Sequence, residues 1–283
     1  MRAGLFRFES AVSAFEDRAA AVPPLGVGLL NLLRYRELLR NLVLKDLKLK
    51  YRGSVLGFAW SLVNPLVMLV VYWLAFTYII GVRRQGFVLF LLLGMLPWTF
   101  FATTVGMATG TIAEAGGLLK SVRFPRTVMP VATILFNLAQ YLMTFGVLLP
   151  AMFIVFRVAP AWPMLAYPVF LLLLVLFTSG VALVVATASA YYRDVKHLVE
   201  VALQVLFWLT PVVYDLSDVP ERMRLTILFS PISPFVTAMH EIFYHHAWPG
   251  PWVWVAALAW SLPVFVGGLA IFLSFEDRFA EQL

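Results

Sequence analysis

Cysteine is absent from the chain. That removes disulfides, thiolate nucleophiles and sulfur ligation of metals, and says little about compartment. Charge is scarce: Asp, Glu, Lys and Arg make up 13% of the 283 residues, about half of what a soluble domain carries. With 62% hydrophobic residues and a mean hydropathy of +0.89, the composition is that of a polytopic membrane protein. No Gly-x-x-x-x-Gly-Lys-Ser/Thr loop occurs, so the chain does not cradle nucleotide phosphates in that way. No His-Glu-x-x-His zinc motif occurs either. His240-Glu241-Ile242-Phe243-Tyr244-His245-His246 comes near it, but Tyr stands at 244 and the next His lies on another helix face. This run reads as a polar helix end at the membrane surface. The acids expected on the outer side of a membrane are Asp215, Asp218, Glu221 and Glu241. Asp218 and Glu221 fit helix capping, so no pair is left arranged for acid-base work.

What is present is an N-terminal tail followed by one long apolar domain. Residues 1–33 hold scattered charges and an Ala-Val-Pro-Pro run, with no apolar stretch of signal-peptide length. They read as a cytoplasmic tail. Residues 34–283 form the membrane domain, with an interface helix at 34–50 and six spans within 55–275. On the helix, Tyr35, Leu38, Leu39, Leu42, Val43 and Leu49 share one side, and most of the charges share the other. Asp46 lies on the apolar side and Leu44 and Leu47 off it, so the helix either floats on anionic lipid or also touches protein.

The spans are predicted at Val55–Ile80, Phe87–Ala113, Val128–Phe156, Pro163–Ala190, Leu198–Val213 and Trp252–Phe275. The fifth is short. Orientation follows from the basic residues. With the N-terminus inside, only Arg83, Arg84, Arg157, Arg222 and Arg224 of the 21 Lys and Arg fall outside. The bias puts both termini in the cytoplasm. The net charge of +6 sits beside the spans, which favours anionic lipid over nucleic acid as its counterpart.

Between the fifth and sixth spans lie two short apolar stretches, one starting after Asp218-Val219-Pro220-Glu221 and one at Ser233-Pro234. Their composition predicts a re-entrant helical hairpin on the outer side. The fold class is therefore all-α, a six-span membrane protein with an N-terminal interface helix and that hairpin.

Tyr51-Arg52-Gly53-Ser54-Val55-Leu56-Gly57-Phe58-Ala59-Trp60 opens the first span, with Asn64-Pro65 a little further on. On a helix Gly53 and Gly57 would share a face and admit a neighbouring backbone. Asn64-Pro65 is expected to loosen the first turns of the span. In the third span Asn137, Gln140, Tyr141 and Thr144 follow i, i+3, i+4, i+7 spacing and make one polar stripe. Such a stripe lines a pathway or bonds neighbouring helices. Gly106 and Gly110, with Ala102 a turn earlier, read as a packing seam. Aromatic side chains offer faces on which sugars stack. Those singled out with the stripe are Trp98, Phe100, Tyr141, Phe207, Trp208 and Tyr214. Arg34, Arg36, Lys50 and Arg52 stand at the inner interface, where they would meet a lipid pyrophosphate or ordinary anionic lipid.

The opening stretch resembles the signature of type-2 ABC permeases that export polysaccharides, the O-antigen and teichoic-acid exporters. Tyr51, Arg52, Gly53, Ser54, Leu56, Gly57, Trp60 and Pro65 carry it. The resemblance resumes at Tyr192-Arg193-Asp194-Val195, at Leu209-Thr210-Pro211-Val212-Val213-Tyr214 and at Ser230-Pro231-Ile232-Ser233-Pro234. It implies a transport subunit rather than an enzyme. A second copy of the chain and two ATPase chains would be its partners, and the ATPases would bind ATP and Mg. The substrate implied is an undecaprenyl-pyrophosphate-linked glycan or similar. The location implied is the cytoplasmic (inner) membrane. It also implies that Glu114–Arg126, with Glu114, Leu118, Leu119, Lys120, Arg123, Phe124 and Arg126, docks in the ATPase. A basic turn held to lipid headgroups is the plainer reading of that loop. A drug or small-lipid ABC permease, a membrane-embedded glycan-transfer enzyme and a non-transporting scaffold are the competing functions. At His240 the family pattern often has Arg, so no role is carried to that position.

Overall fold

In a computed structural model of the protein, the described residues are 35–54, 59–79, 81, 85–114 and 125–276, and they contain helices and no strand. Helix α1 spans Arg36–Tyr51 and α2 spans Ala59–Leu74, running into a π-helical turn at Ala75–Ile79. Helices α3 (Phe87–Ala108), α4 (Thr111–Glu114) and α5 (Val128–Ile154) follow. A 3-10 turn at Trp162–Ala166 leads into α6 (Tyr167–Tyr191). Then come α7 (Val195–Leu209), α8 (Glu221–Leu228), α9 (Ser233–Phe243) and α10 (Pro251–Phe275).

Among the described residues, four helices are long and apolar enough to cross a membrane: Phe87–Ala108, Val128–Ile154, Trp162–Tyr191 and Pro251–Phe275. Leu66–Ile79 is a shorter apolar helix. α7 has 15 residues, about 22 Å of helix, short of a ~30 Å hydrocarbon core. It stops at Thr210, whose fully buried hydroxyl turns back to the Leu206 carbonyl at 2.7 Å. The same hydroxyl meets Ser230 Oγ at 3.2 Å. The two motifs at 209–214 and 230–234 are thus side by side in space.

α3 is the central helix. Phe90, Leu91, Leu93, Phe100 and Phe101 are buried in the main core with α6, α9 and α10. α6 and α10 run parallel and touch backbone to backbone. Ser261 Oγ donates to the Leu173 carbonyl at 2.8 Å, Gly180 lies on Val264, and Tyr191 meets Phe275. α9 is embedded among these helices, with all of Ser233–His240 buried, which excludes a solvated loop for this stretch. Large apolar side chains on the outside, among them Val67, Leu172, Val255 and Val266, are what a lipid-facing surface requires.

α1 packs on protein: Leu39 and Leu42 are buried against Val128, Met129 and Ala132 at the foot of α5. Leu44 and Leu49 stay exposed.

Several local expectations fail. Gly53 stands beyond the end of α1 with φ +73° and open space around it, so it serves the left-handed turn and admits no neighbouring backbone. Gly57 lies outside the described residues. The backbone stays helical through Asn64-Pro65. A Cβ on Gly106 would meet nothing within 4 Å among the described residues, so no seam forms there within the chain. Ser233 does not cap α9; its hydroxyl is buried without a partner. The Asp218 carboxylate accepts from the Asp215 N–H at 3.2 Å.

Candidate functional site

A cleft of about 970 Å³ lies between α3 and α5. On α3 it is lined from Val88 through Leu92, Met95, Leu96, Thr99, Phe100, Thr103 and Gly106 to Met107. These positions recur at three- and four-residue steps, so one face of the helix forms a wall. The wall is about 28 Å long, close to the hydrocarbon thickness of a bilayer. On α5 the lining runs from Asn137 and Gln140 through Tyr141, Thr144, Val147 and Leu148 to Val155 and Phe156. All four residues of the polar stripe face the cleft.

The lining is mostly apolar, with its polar groups gathered toward one end. Thr103 Oγ1 donates to the Thr99 carbonyl at 2.6 Å, and Asn137 Nδ2 donates to the Thr133 carbonyl at 2.9 Å. Phe100 and Tyr141 meet edge to face, and the Tyr141 hydroxyl contacts that of Tyr167. At the polar end stands Lys50, the penultimate residue of α1, whose ammonium donates to Gln140 Oε1. It lies 5.9 Å and 5.8 Å from the ring centres of Tyr51 and Phe136, within cation–π range. Desolvation there lowers Lys50 from the ordinary lysine value. The cleft can therefore hold an extended apolar chain along its length and an anion at the Lys50 end.

The basic group predicted at the inner interface does not come together. Lys50 lines the cleft, while Arg36 and Arg52 are exposed and do not. Arg36 and Lys50 lie at opposite ends of α1, about 21 Å apart. Arg34 lies outside the described residues.

The aromatic set divides. Phe100 and Tyr141 line the cleft, whereas Trp98 and Phe207 pack edge to face on each other at 5.3 Å. Phe207 also stacks on Tyr72, which ties α7 to α2. Trp208 is exposed, and Tyr214 donates to its carbonyl at 3.0 Å. Trp98, Phe207, Trp208 and Tyr214 thus form a group of their own beside α7.

Of the loop predicted to dock an ATPase, Leu118, Leu119, Lys120, Arg123 and Phe124 lie outside the described residues. Its flanks are described: Glu114 ends α4, and Arg126 precedes α5 with its guanidinium donating to the Glu276 carbonyl.

His240 departs from its expected place at the surface. It is 4% exposed, stacked on the Phe90 ring at 3.7 Å, with Nε2 at 3.0 Å from the Phe90 carbonyl. Its neighbour Glu241 accepts from the Gly250 N–H at 2.9 Å, and His245 pairs with Asp215 at 3.0 Å. Burial raises the Glu241 carboxyl from its usual value; the Gly250 N–H and His245 oppose this, and the Asp215 charge adds to it. These contacts bind the end of α7, the end of α9 and the start of α10.

Sequence reasoning missed Thr99, Thr103 and Met107 as lining residues. The i, i+4 threonines were a readable signal, though a weak one among so many helical apolar positions.

The profile of the family described as ABC-2 type transporter matches residues 37–244. The O-antigen export system permease protein RfbA of Myxococcus xanthus is 33% identical over 255 residues, which cover 89% of this chain and 98% of that protein. A protein of the same name from Klebsiella pneumoniae is 27% identical over 248 residues, covering 87% and 95%. The polysialic acid transport protein KpsM of Escherichia coli is 22% identical over 206 residues, covering 71% and 78%. With a profile spanning most of its length and a relative matched nearly end to end, the chain belongs to the membrane-spanning family of ABC-2 type transporters.

Proposed function

We propose that the chain is the permease subunit of an ATP-driven exporter that moves a lipid-linked polysaccharide from the inner to the outer leaflet of the cytoplasmic membrane. Two copies pair around the pathway, and two ATPase chains, which bind ATP and Mg, engage Glu114–Arg126. The names of the relatives support the polysaccharide. Four long helices, with α2 and α7 as the two shorter ones, support six spans with both termini inside. α1 lies along the inner interface, and α8 and α9 form the re-entrant hairpin.

One observation carries the reading of the site: a bilayer-length apolar cleft whose polar stripe ends at Lys50. The carrier's hydrocarbon chain fits the α3–α5 wall, and its pyrophosphate fits the ammonium. Among Arg34, Arg36, Lys50 and Arg52, Lys50 makes the direct contact. Arg36 and Arg52 raise the local anion concentration at the mouth.

The test is transport by the reconstituted permease–ATPase complex with a polyprenyl-pyrophosphate-linked oligosaccharide. A charge-assisted phosphate contact contributes about 1.5–3 kcal/mol. Lys50→Gln should therefore raise the half-saturating substrate concentration about tenfold to a hundredfold. Arg36→Gln, at the far end of α1, should change it far less. Equal effects of the two variants would remove the assignment.

A further inference from the structure

α5 begins without a cap of its own. Thr127 precedes it, and its side chain makes no capping bond to the helix. The N–H groups of Val128 and Met129 turn back to the Pro125 and Arg126 carbonyls. The polar groups of Thr127 itself find their acceptor 149 residues away. The Thr127 N–H and the Thr127 hydroxyl both donate to Glu276 Oε1, each at 3.1 Å. Arg126 closes the arrangement from the other side, its guanidinium donating to the Glu276 carbonyl.

Glu276 is the residue just past α10. Thr127 is 5% exposed, so water competes weakly for these bonds. A carboxylate at a helix start also lies favourably in the field of the backbone dipoles. α10 in turn is locked to α6, where Gly180 and Gly268 bring the backbones into contact. One acid thus stands between two bodies: α5, which lines the cleft, and the α6–α10 pair.

We propose that Glu276 is a positioning residue that fastens the foot of the Glu114–Arg126 segment to α10. A displacement imposed on that segment then reaches the cleft wall and the α6–α10 pair together. The proposal rests on the reading of Glu114–Arg126 as the ATPase-facing segment. A mere strut would hold the fold; a positioning residue sets how much transport each hydrolysed ATP yields.

The experiment uses the whole permease–ATPase complex in proteoliposomes with a polyprenyl-pyrophosphate-linked oligosaccharide. It reads three quantities: ATPase copurified, hydrolysis rate, and glycan moved per ATP. Glu276→Ala should lower glycan moved per ATP about tenfold, as expected for loss of hydrogen bonds to a charged group. Copurified ATPase and hydrolysis should stay near the parent values. Glu276→Gln keeps an oxygen that accepts from Thr127 and should restore most of the ratio. Thr127→Ala removes one hydroxyl and leaves the helix N–H. This milder variant should lower the ratio two- to threefold at full assembly. An unchanged ratio in Glu276→Ala or Thr127→Ala overturns the proposal. So does a loss of association, hydrolysis and export in one proportion. A separate arm reverses Lys120 and Arg123 to Glu, residues outside the Glu276 contacts. If that protein still binds its ATPase and exports, the docking reading fails and this proposal with it. If it loses the ATPase while Glu276→Ala keeps the parent ratio, docking stands and the role of Glu276 falls.

Discussion

The seam between α6 and α10 allows a sharp test of the packing. A Cβ on Gly268 would fall 2.3 Å from the Gly180 carbonyl oxygen and 2.8 Å from its Cα. A Cβ on Gly180 would fall 2.3 Å from the Val264 carbonyl oxygen. These are backbone atoms, so no side chain can rotate away. A carbon–oxygen contact relaxes near 3.3 Å, so the helices would have to part by about 1 Å. Gly267 is the internal control, since a Cβ there meets nothing within 4 Å. Both substitutions gain the same helix propensity, about 1 kcal/mol for Gly→Ala. The difference between them isolates the clash, and overpacking of this kind costs about 1–3 kcal/mol. In a membrane, close packing is itself a main source of helix association, so little else compensates. Thermal unfolding of the purified protein in one detergent reads the effect. Gly267→Ala should match or slightly exceed the parent, and Gly268→Ala should melt several degrees lower. Gly180→Ala combined with Gly268→Ala should cost less than the sum, because one parting relieves both contacts. Equal melting of Gly267→Ala and Gly268→Ala would refute the seam.

The absence of native cysteine makes the topology directly measurable. Single cysteines at Ser217, Ser121 and Gln282, treated on intact cells with an impermeant thiol reagent, should label at 217 alone; labelling at 121 and not at 217 would invert the orientation. At the Glu241 cluster, a carboxyl raised by burial binds its proton more tightly when folded than when unfolded. Its contribution to stability is present at low pH and lost as pH climbs from the usual 4.5 through the folded value. Glu241→Gln keeps an acceptor for Gly250 and loses the titration, so its melting advantage over the parent should grow with pH; a constant or shrinking difference counts against the burial.

How much was readable in advance depended on whether a signal lay along one helix or between two. The α5 stripe was legible because Asn137, Gln140, Tyr141 and Thr144 share a face by spacing alone, and the cleft lies where that face points. The start of α9 at Ser233-Pro234 was legible because proline is favoured in the first turn of a helix. The capping role assigned to Ser233 from local pattern failed because its hydroxyl is buried without a partner. The glycines told the same story. Gly53 with Gly57 and Gly106 with Gly110 have the four-residue spacing of a seam, yet Gly53 makes a turn and Gly106 opens onto the cleft. The real seam joins one glycine on α6 to one on α10, a pairing that no periodicity within either helix encodes. Glu276 is the extreme case, an acid at the end of the last described helix whose partner begins another helix 149 residues earlier. A cleft wall repeats every turn and so marks its own helix. A fastening between helices needs one residue on each, and its evidence exists only once the helices are laid side by side.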